Sequence, residues 1–246
     1  MRPTIQIYKN YTEEDFKVWE ILFKRQMKVL KDYASADFLT ALEAIDFRYD
    51  KIPDFTEVNK ILKELTGWAL HTVPNISEQK DFFEFLSSKQ FTTTCWLRNM
   101  DQLDYLEEPD MFHDVFAHTP LLTNKQYCDF FKGIGDLALK NINNLRYNEL
   151  LGRIYWFTIE FGLINENNSQ KIYGAGILSS IGETKFALSE KSEKINFDVE
   201  TILNTTYRTD VIQEKYFVIE SFEQLMSSLP EIKNKLEIIC EEELQK

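Results

Sequence analysis

Glycine and proline are scarce in this sequence, eight and six among 246 residues, and no Ser/Gly-rich linker or low-complexity run interrupts it. No internal repeat is evident either. A single domain is therefore the expectation, long enough to bury a substantial core. Cys95, Cys128 and Cys240 are far apart and odd in number, which argues against a disulfide framework and for free thiols in a reducing cytoplasm. No apolar run reaches the roughly 20 residues of a membrane-spanning helix. The start, MRPTIQIYKNYTEEDF, lacks the apolar centre of a signal peptide. Positive charge is also short: 28 Lys and Arg against 40 Asp and Glu give a formal charge of −12. That balance argues against phosphate-driven binding of nucleic acid and against attraction to an anionic membrane surface. Histidine is as rare as cysteine, with His71, His113 and His118 only.

What is abundant is aromatic: nineteen Phe, eleven Tyr and four Trp. Helix signals dominate. Thr12 is a candidate N-cap with Asp15 at N3, and Tyr11 and Phe16 are spaced as a hydrophobic staple ahead of a helical run over Phe16 to Leu30. SADFLTALEAI and IPDFTEVNKILKEL read as further helices, the second stopping before Gly67. Ser77 is placed to cap SEQKDFFEFLSS, and Asn124 to cap NKQYCDFFKGIGDLALK. EEPDMFHDVFAH reads as a helix opened by Glu107, Glu108, Pro109 and Asp110. NELLGRIYWFTIEFGL is the most apolar helix. FTTTCWLR, Phe91 to Arg98, is β-branched and aromatic and reads as a short strand. YGAGILSSIGE reads as loop or short strand, KINFDVETIL as mixed, and KYFVIESF as a strand before a charged terminal helix. The fold class expected is mostly α with a few short β-strands (α+β), without βαβ alternation.

Two features carry chemistry. His113 and His118 lie five residues apart, a rotation of roughly 140° in an α-helix, so they would not share a face there. Pro120 disfavours helical geometry at Thr119, and a last turn that frays near His118 would let its ring swing towards His113. In IYWFTIEFGLI, Ile154 to Ile164, Glu160 is a lone carboxylate among apolar side chains. Its burial costs several kcal/mol, on the order expected for buried ions, unless a partner compensates it. The partner is either an arginine, with Arg153 and Arg146 at hand, or a divalent metal. Two imidazoles and one carboxylate make a facial triad for ferrous iron with open positions. The pair His113–Asp114 also admits an HD-type metal-dependent phosphohydrolase, for which His71 is the one further upstream histidine.

EPDMFHDVFAHTPLL, then IYWFTIEFGLI, then YGAGILSSIGE, in that order, resemble the pterin-dependent aromatic amino acid hydroxylases. The likeness runs from YTEEDFKVWEILF through LKELTGW to KYFVIESF, nearly the whole chain. It implies a catalytic hydroxylase domain over 11–246 behind an N-terminal extension at 1–10. Neither a regulatory domain nor a long tetramerisation helix is expected, since the tail PEIKNKLEIICEEELQK spans barely two heptads. It also implies Fe(II) held by His113, His118 and Glu160. Arg98 would hold the substrate carboxylate, with Asp110 as its partner. Trp156 would shape the aromatic-ring pocket, and Ser179 would orient an iron-bound histidine. Phe82 would stack on a tetrahydropterin, with Asp114 and Tyr155 beside it. The sequence departs from the family at Leu106, where the family carries a Thr, and in the polar loop HTVPNISEQKDFF.

The implied reaction is mono-oxygenation: one oxygen of O2 enters the aromatic ring and the other leaves on the pterin. The resemblance implies that Trp156 favours phenylalanine or tyrosine over tryptophan, and Thr209, at the place of the tyrosine hydroxylases' acid, turns the choice to L-phenylalanine, giving L-tyrosine. Tyrosine or tryptophan hydroxylation is the alternative on the same fold; in tyrosine hydroxylases an acid stands near TTYRTDV, where Thr209 and Asp210 lie. A cytoplasmic monomer or weak homodimer follows.

Overall fold

The computed structural model describes residues 2–104, 106 and 108–244. Helix α1 (Glu13–Tyr33) starts as its sequence dictates. Thr12 Oγ1 accepts from the Asp15 N–H while an Asp15 oxygen accepts from the Thr12 N–H, and the Tyr11 and Phe16 rings meet edge-on at 6.4 Å. Its inner face buries Val18, Trp19, Leu22 and Leu30. Helix α2 (Ala36–Ala44) is capped by Ser35, and α3 (Phe55–Leu65) by Asp54. Gly67 follows α3 at φ +80°, the left-handed geometry that glycine supplies cheaply where a helix ends.

The next unit departs from expectation. Strand β1 (Ala69–Thr72), helix α4 (Gln79–Ser87) and strand β2 (Gln90–Thr93) form a short βαβ unit, the strands parallel with Ala69 opposite Gln90. The strand expected over Phe91–Arg98 pairs only at its beginning, because β1 is four residues long and offers no further ladder. Ser77 does not cap α4. Glu78 holds the cap position without a side-chain bond, and Ser77 faces a cavity instead.

Of the residues expected to open the next helix, Glu107 lies outside the described residues. Glu108, Pro109 and Asp110 precede the helix instead of forming its first turn. The segment Phe112–His118 that follows is π-helical. A 3-10 turn, Pro120–Thr123, continues from it, and Thr119 keeps helical angles (φ −61°, ψ −38°) despite preceding a proline, since Pro120 opens that turn. Helix α5 (Lys125–Lys140), capped by Asn124, and helix α6 (Leu145–Tyr155) cross the centre of the molecule. A second π-helical segment, Trp156–Glu160, extends α6.

A hairpin of β3 (Leu163–Glu166) and β4 (Ser169–Ile172) comes next, unannounced by its polar tip Asn167–Asn168, where both residues take positive φ. YGAGILSSIGE is not a strand. It holds two short helices, α7 (Ala175–Ser179) and α8 (Ile181–Ala187). Strand β5 (Glu193–Asn196), helix α9 (Val199–Leu203) and strand β6 (Lys215–Ile219) complete a four-stranded sheet of order β4-β3-β6-β5, with β3, β6 and β5 parallel. Helix α10 (Phe222–Ser227) leads into α11 (Leu229–Leu244), whose buried Ile232 and Leu236 face α5, α6 and α9. All three cysteines are buried free thiols. Among the described residues no helix is long and apolar enough to cross a membrane. The aromatic excess is spent on one core, in which Phe112 stacks on Phe116 at 4.6 Å and Trp68 on Phe131 at 5.5 Å.

Candidate metal centre and substrate pocket

The two histidines come together through helix register. A π-helix bonds each N–H to the carbonyl five residues earlier, so positions five apart stack on one face. His113 and His118 are such a pair, and no fraying is needed. Their Nε2 atoms lie 3.3 Å apart. The second π segment brings up the carboxylate: Phe161 N–H bonds to Trp156 O, five residues back, at 2.9 Å. Glu160 Oε1 lies 3.2 Å from His118 Nε2, and its Oε2 lies 3.7 Å from His113 Nε2. Ligands cis to one another on an ion bound at about 2.1 Å sit about 3 Å apart, so the three donors suit one face of a metal. Among the described residues this is the cluster of His, Cys, Asp and Glu able to hold one.

Burial works to raise the Glu160 carboxyl, and the imidazoles of His118 and His113 outweigh it, holding the group at about 2. Burial pushes His113 down to about 4. At neutral pH the triad is thus one carboxylate facing a neutral His113, the protonation states a metal needs. Ser179 settles the tautomer. Its hydroxyl donates to Ala175 O at 2.9 Å, so it accepts from His113 Nδ1–H at 2.8 Å. That bond leaves the Nε2 lone pair pointing at the centre. Among the described residues His118 has no such help, its buried Nδ1 meeting no partner.

The arginine alternative for Glu160 does not hold. Arg153 pairs with Glu149 and with Leu203 O, and Arg146 pairs with Glu149 and Glu243. Nor does the phosphohydrolase arrangement. His71 stacks on Phe85 in β1, outside the cluster, and Asp114 turns to Thr94.

A cavity of about 270 Å³ opens beside the triad and brings Phe82, Asp114 and Tyr155 together with His113, His118 and Glu160. Phe82, from α4, meets the Tyr155 ring edge-on at 5.9 Å. Asp114 accepts from Thr94 N–H and Oγ1–H at 2.7 and 2.9 Å, and burial nevertheless lifts its carboxyl to about 7. Ser77 lines the same cavity, and its buried Oγ has no partner among the described residues. A flat heterocycle with ring edges that donate and accept would stack on the aromatic wall and satisfy that hydroxyl, so the residues present fit a pterin.

Arg98, Asp110, Trp156 and Ser179 do not line this cavity. Arg98 is no loose surface residue. Its Nε and Nη2 donate to the fully buried Asp110 at 2.9 and 2.8 Å, a bidentate pair that leaves Nη1 for another acceptor. Asp110 also accepts from the His113 N–H at 3.3 Å, tying the arginine to the ligand segment. Trp156 stands at the head of the second π segment, stacked on Tyr207 at 4.5 Å. Leu106 is half-buried in the intervening loop.

Several supporting residues escaped the sequence reading. Gly174 has its reason in a close approach: a Cβ there would come within 2.5 Å of Glu160 O. Thr94 bonds Asp114 and Gln213 bonds Trp156 across long stretches of sequence, and Glu183 in turn bonds the Gln213 N–H. The signal was slight, a pair of glycines, Gly174 and Gly176, just after the β3–β4 hairpin.

The comparisons agree with this geometry. A family model described as biopterin-dependent aromatic amino acid hydroxylase matches residues 4–241. The phenylalanine-4-hydroxylase of Chromobacterium violaceum is 43% identical over 219 residues, 89% of this chain and 73% of that protein. The one from Pseudomonas aeruginosa is 38% identical over 224 residues, 91% of this chain and 85% of that protein. Among solved structures, C. violaceum phenylalanine hydroxylase with iron(III) and 7,8-dihydrobiopterin superposes with a TM-score of 0.89 at 41% identity, over 96% of this chain and 86% of that one.

Proposed function

Because the chain belongs to the biopterin-dependent aromatic amino acid hydroxylases, we propose that it hydroxylates the ring of L-phenylalanine to give L-tyrosine, using O2, a tetrahydropterin and Fe(II). The observation that carries this is the convergence of His113, His118 and Glu160 at the wall of a cavity suited to a pterin, in a chain that matches the family over residues 4–241. The bound iron and pterin together supply the reduction of O2 that makes a ring-hydroxylating oxidant.

The protein's own residues bind, aim and shield. His113, His118 and Glu160 would hold the iron through three donors and leave coordination positions open for the reaction. Phe82 and Tyr155 wall the pterin, and Asp114 and Ser77 give its polar edges partners. Arg98, oriented by Asp110, offers Nη1 to the carboxylate of the amino acid. Trp156 flanks the aromatic ring. Burial around the triad keeps bulk water from the reacting atoms. Phenylalanine is favoured over tyrosine by the loop after Tyr207. Asp210 pairs bidentately with Arg208 and faces solvent, so no free carboxylate waits there for a phenol.

The working unit in this reading is the catalytic domain over 11–246. The segment before it is strapped to the body by Gln6, which bonds Pro53 O and the Phe55 N–H. A monomer is the assembly supported best, since Ile232, Leu236 and Cys240 of α11 are buried within the chain. The buried free thiols and the acidic charge accord with a cytoplasmic enzyme that binds neither nucleic acid nor membrane.

The test is a product assay on protein loaded anaerobically with Fe(II). It would be given L-phenylalanine, a tetrahydropterin and O2, with the product read by chromatography and mass. Tyrosine that forms only with pterin is the expected result. Bound iron with phenylalanine untouched would sink the substrate assignment and send the assay to tyrosine and tryptophan.

A further inference from the structure

We propose that Gln213 is a positioning residue that clamps the Trp156 indole to the loop over 207–213, making the two one rigid wall of the amino-acid pocket. The inference rests on the functional reading above and adds what sets the place of that wall.

The carboxamide has a single orientation available. Its nitrogen donates to Arg208 O at 2.7 Å and to Val211 O at 2.9 Å. Both hydrogens are therefore committed to carbonyls, and the atom 3.0 Å from Trp156 Nε1 is the oxygen, which accepts the indole N–H. Gln213 is itself held from behind. Its backbone N–H donates to Glu183 Oε1 at 3.0 Å, and Glu183 Oε2 accepts from Tyr216 O–H at 2.7 Å. Gln213, Glu183 and Tyr216 are all buried, so breaking one bond strands its partner away from water.

The other end of the loop meets the same tryptophan. Tyr207 stacks on the indole with planes 14° apart, and the Phe161 ring packs against it, tilted, at 4.6 Å. The chain between Tyr207 and Gln213, which carries Thr209 and Asp210, thus begins and ends on Trp156. Neither the indole nor the loop can shift alone. Trp156 reaches this position because it heads the π segment that ends in Glu160, so the clamp fixes the ring-binding wall relative to the metal. Misplacing that wall disturbs where the substrate ring rests before it disturbs iron or pterin.

The experiment compares wild type with Gln213→Leu, alone and in a Trp156→Phe background, in steady-state assays and in calorimetric titration of the iron-loaded protein with L-phenylalanine. In the single variant the KM and Kd for L-phenylalanine should rise about tenfold, the loss of one buried hydrogen-bonded contact. Expected alongside are a kcat within about threefold, unchanged iron content and unchanged KM for tetrahydropterin. Less tyrosine should form per pterin oxidised. Once Trp156 has no N–H to hold, the same substitution should add less than about threefold. Additive effects in the two backgrounds, or parallel losses of iron and pterin binding, would overturn the clamp in favour of general loosening. Should Gln213→Leu fail to fold, Tyr207→Leu at the half-exposed end of the loop should still raise KM for L-phenylalanine, and an unchanged KM there refutes the proposal. Active wild type with an unaltered variant defeats this inference alone. A wild type that binds iron but ignores L-phenylalanine defeats the functional reading as well.

Discussion

The segments that carry the metal ligands and the helices that carry the fold are built differently. Helices α1, α2, α3 and α5 follow α geometry, with side-chain caps at Thr12, Ser35, Asp54 and Asn124 and apolar faces turned to the core. His113, His118 and Glu160 sit instead on the two π-helical segments, Phe112–His118 and Trp156–Glu160, which lack such caps. A wider turn spends hydrogen-bond quality to change which residues share a face. Here it stacks two histidines five apart and aims a carboxylate at them. The site is held from outside by single contacts, Asp110 on the His113 N–H, Ser179 on the His113 ring and Gly174 against Glu160 O. The scaffold should therefore govern stability, and the π segments function, with little exchange between the two.

Glu160→Ala should break that division most visibly on the functional side. Removing one of three donors is expected to abolish stoichiometric iron and to cut tyrosine formation to background, more than about a thousandfold. The metal-free protein should keep its melting temperature within about 4 °C, near 1 kcal/mol for a chain of this size, because the substitution also removes a buried carboxylate. A metal-free variant that melts much lower would make Glu160 a structural ion first. Phe130→Ala on α5 is the mirror case. Phe130 is fully buried, and the truncation should cost about 3–5 kcal/mol, read by chemical denaturation, while the folded fraction binds iron with unchanged stoichiometry.

Ser179→Ala probes the outer support of the metal. Losing the acceptor of His113 Nδ1–H frees the ring to rotate and to change tautomer, and iron should bind about 10–100-fold more weakly, as measured by competition with a chelator. Among the described residues His118 has no comparable bond on Nδ1 to offset the loss. An unchanged iron affinity would mean that packing alone orients His113.

The same division explains what the sequence disclosed. The scaffold was legible because an α-helix writes itself in a 3.6-residue period and in cap residues: Thr12 with Asp15, Asn124, and Gly67 after α3 were each in place to be read. The π segments leave no comparable trace. From spacing alone, His113 and His118 fell on different faces of an α-helix; the break at Pro120 and the lone Glu160 made a metal triad one of two readings, and the likeness of three blocks to a family chose it over an arginine partner. Short strands were legible where β-branched residues cluster, as at KYFVI, and hidden where pairing depends on a distant partner. Strand β1 exists because β2 lies beside it after α4. The polar supports were hidden for the same reason: Thr94 to Asp114, Gln213 to Trp156 and Ser179 to His113 join positions 20, 57 and 66 residues apart.

The smallest expected effect tests whether scaffold and site are as separate as their geometry suggests. Thr12→Ala removes half of the capping box of α1 and should cost about 1 kcal/mol, a drop of about 2–4 °C in melting temperature at this chain length. Its neighbour Tyr11 reaches from the helix start to the site: the Tyr11 hydroxyl lies 2.7 Å from Cys95 O and 3.3 Å from Met111 Sδ, and Met111 directly precedes the first π segment. If the π segment is held by its own local contacts, kcat and iron content should not change when the cap is lost. A fall in kcat together with the melting temperature would mean that the start of α1 tunes the turn bearing both histidines, and that the wider register is maintained from a distance through Tyr11.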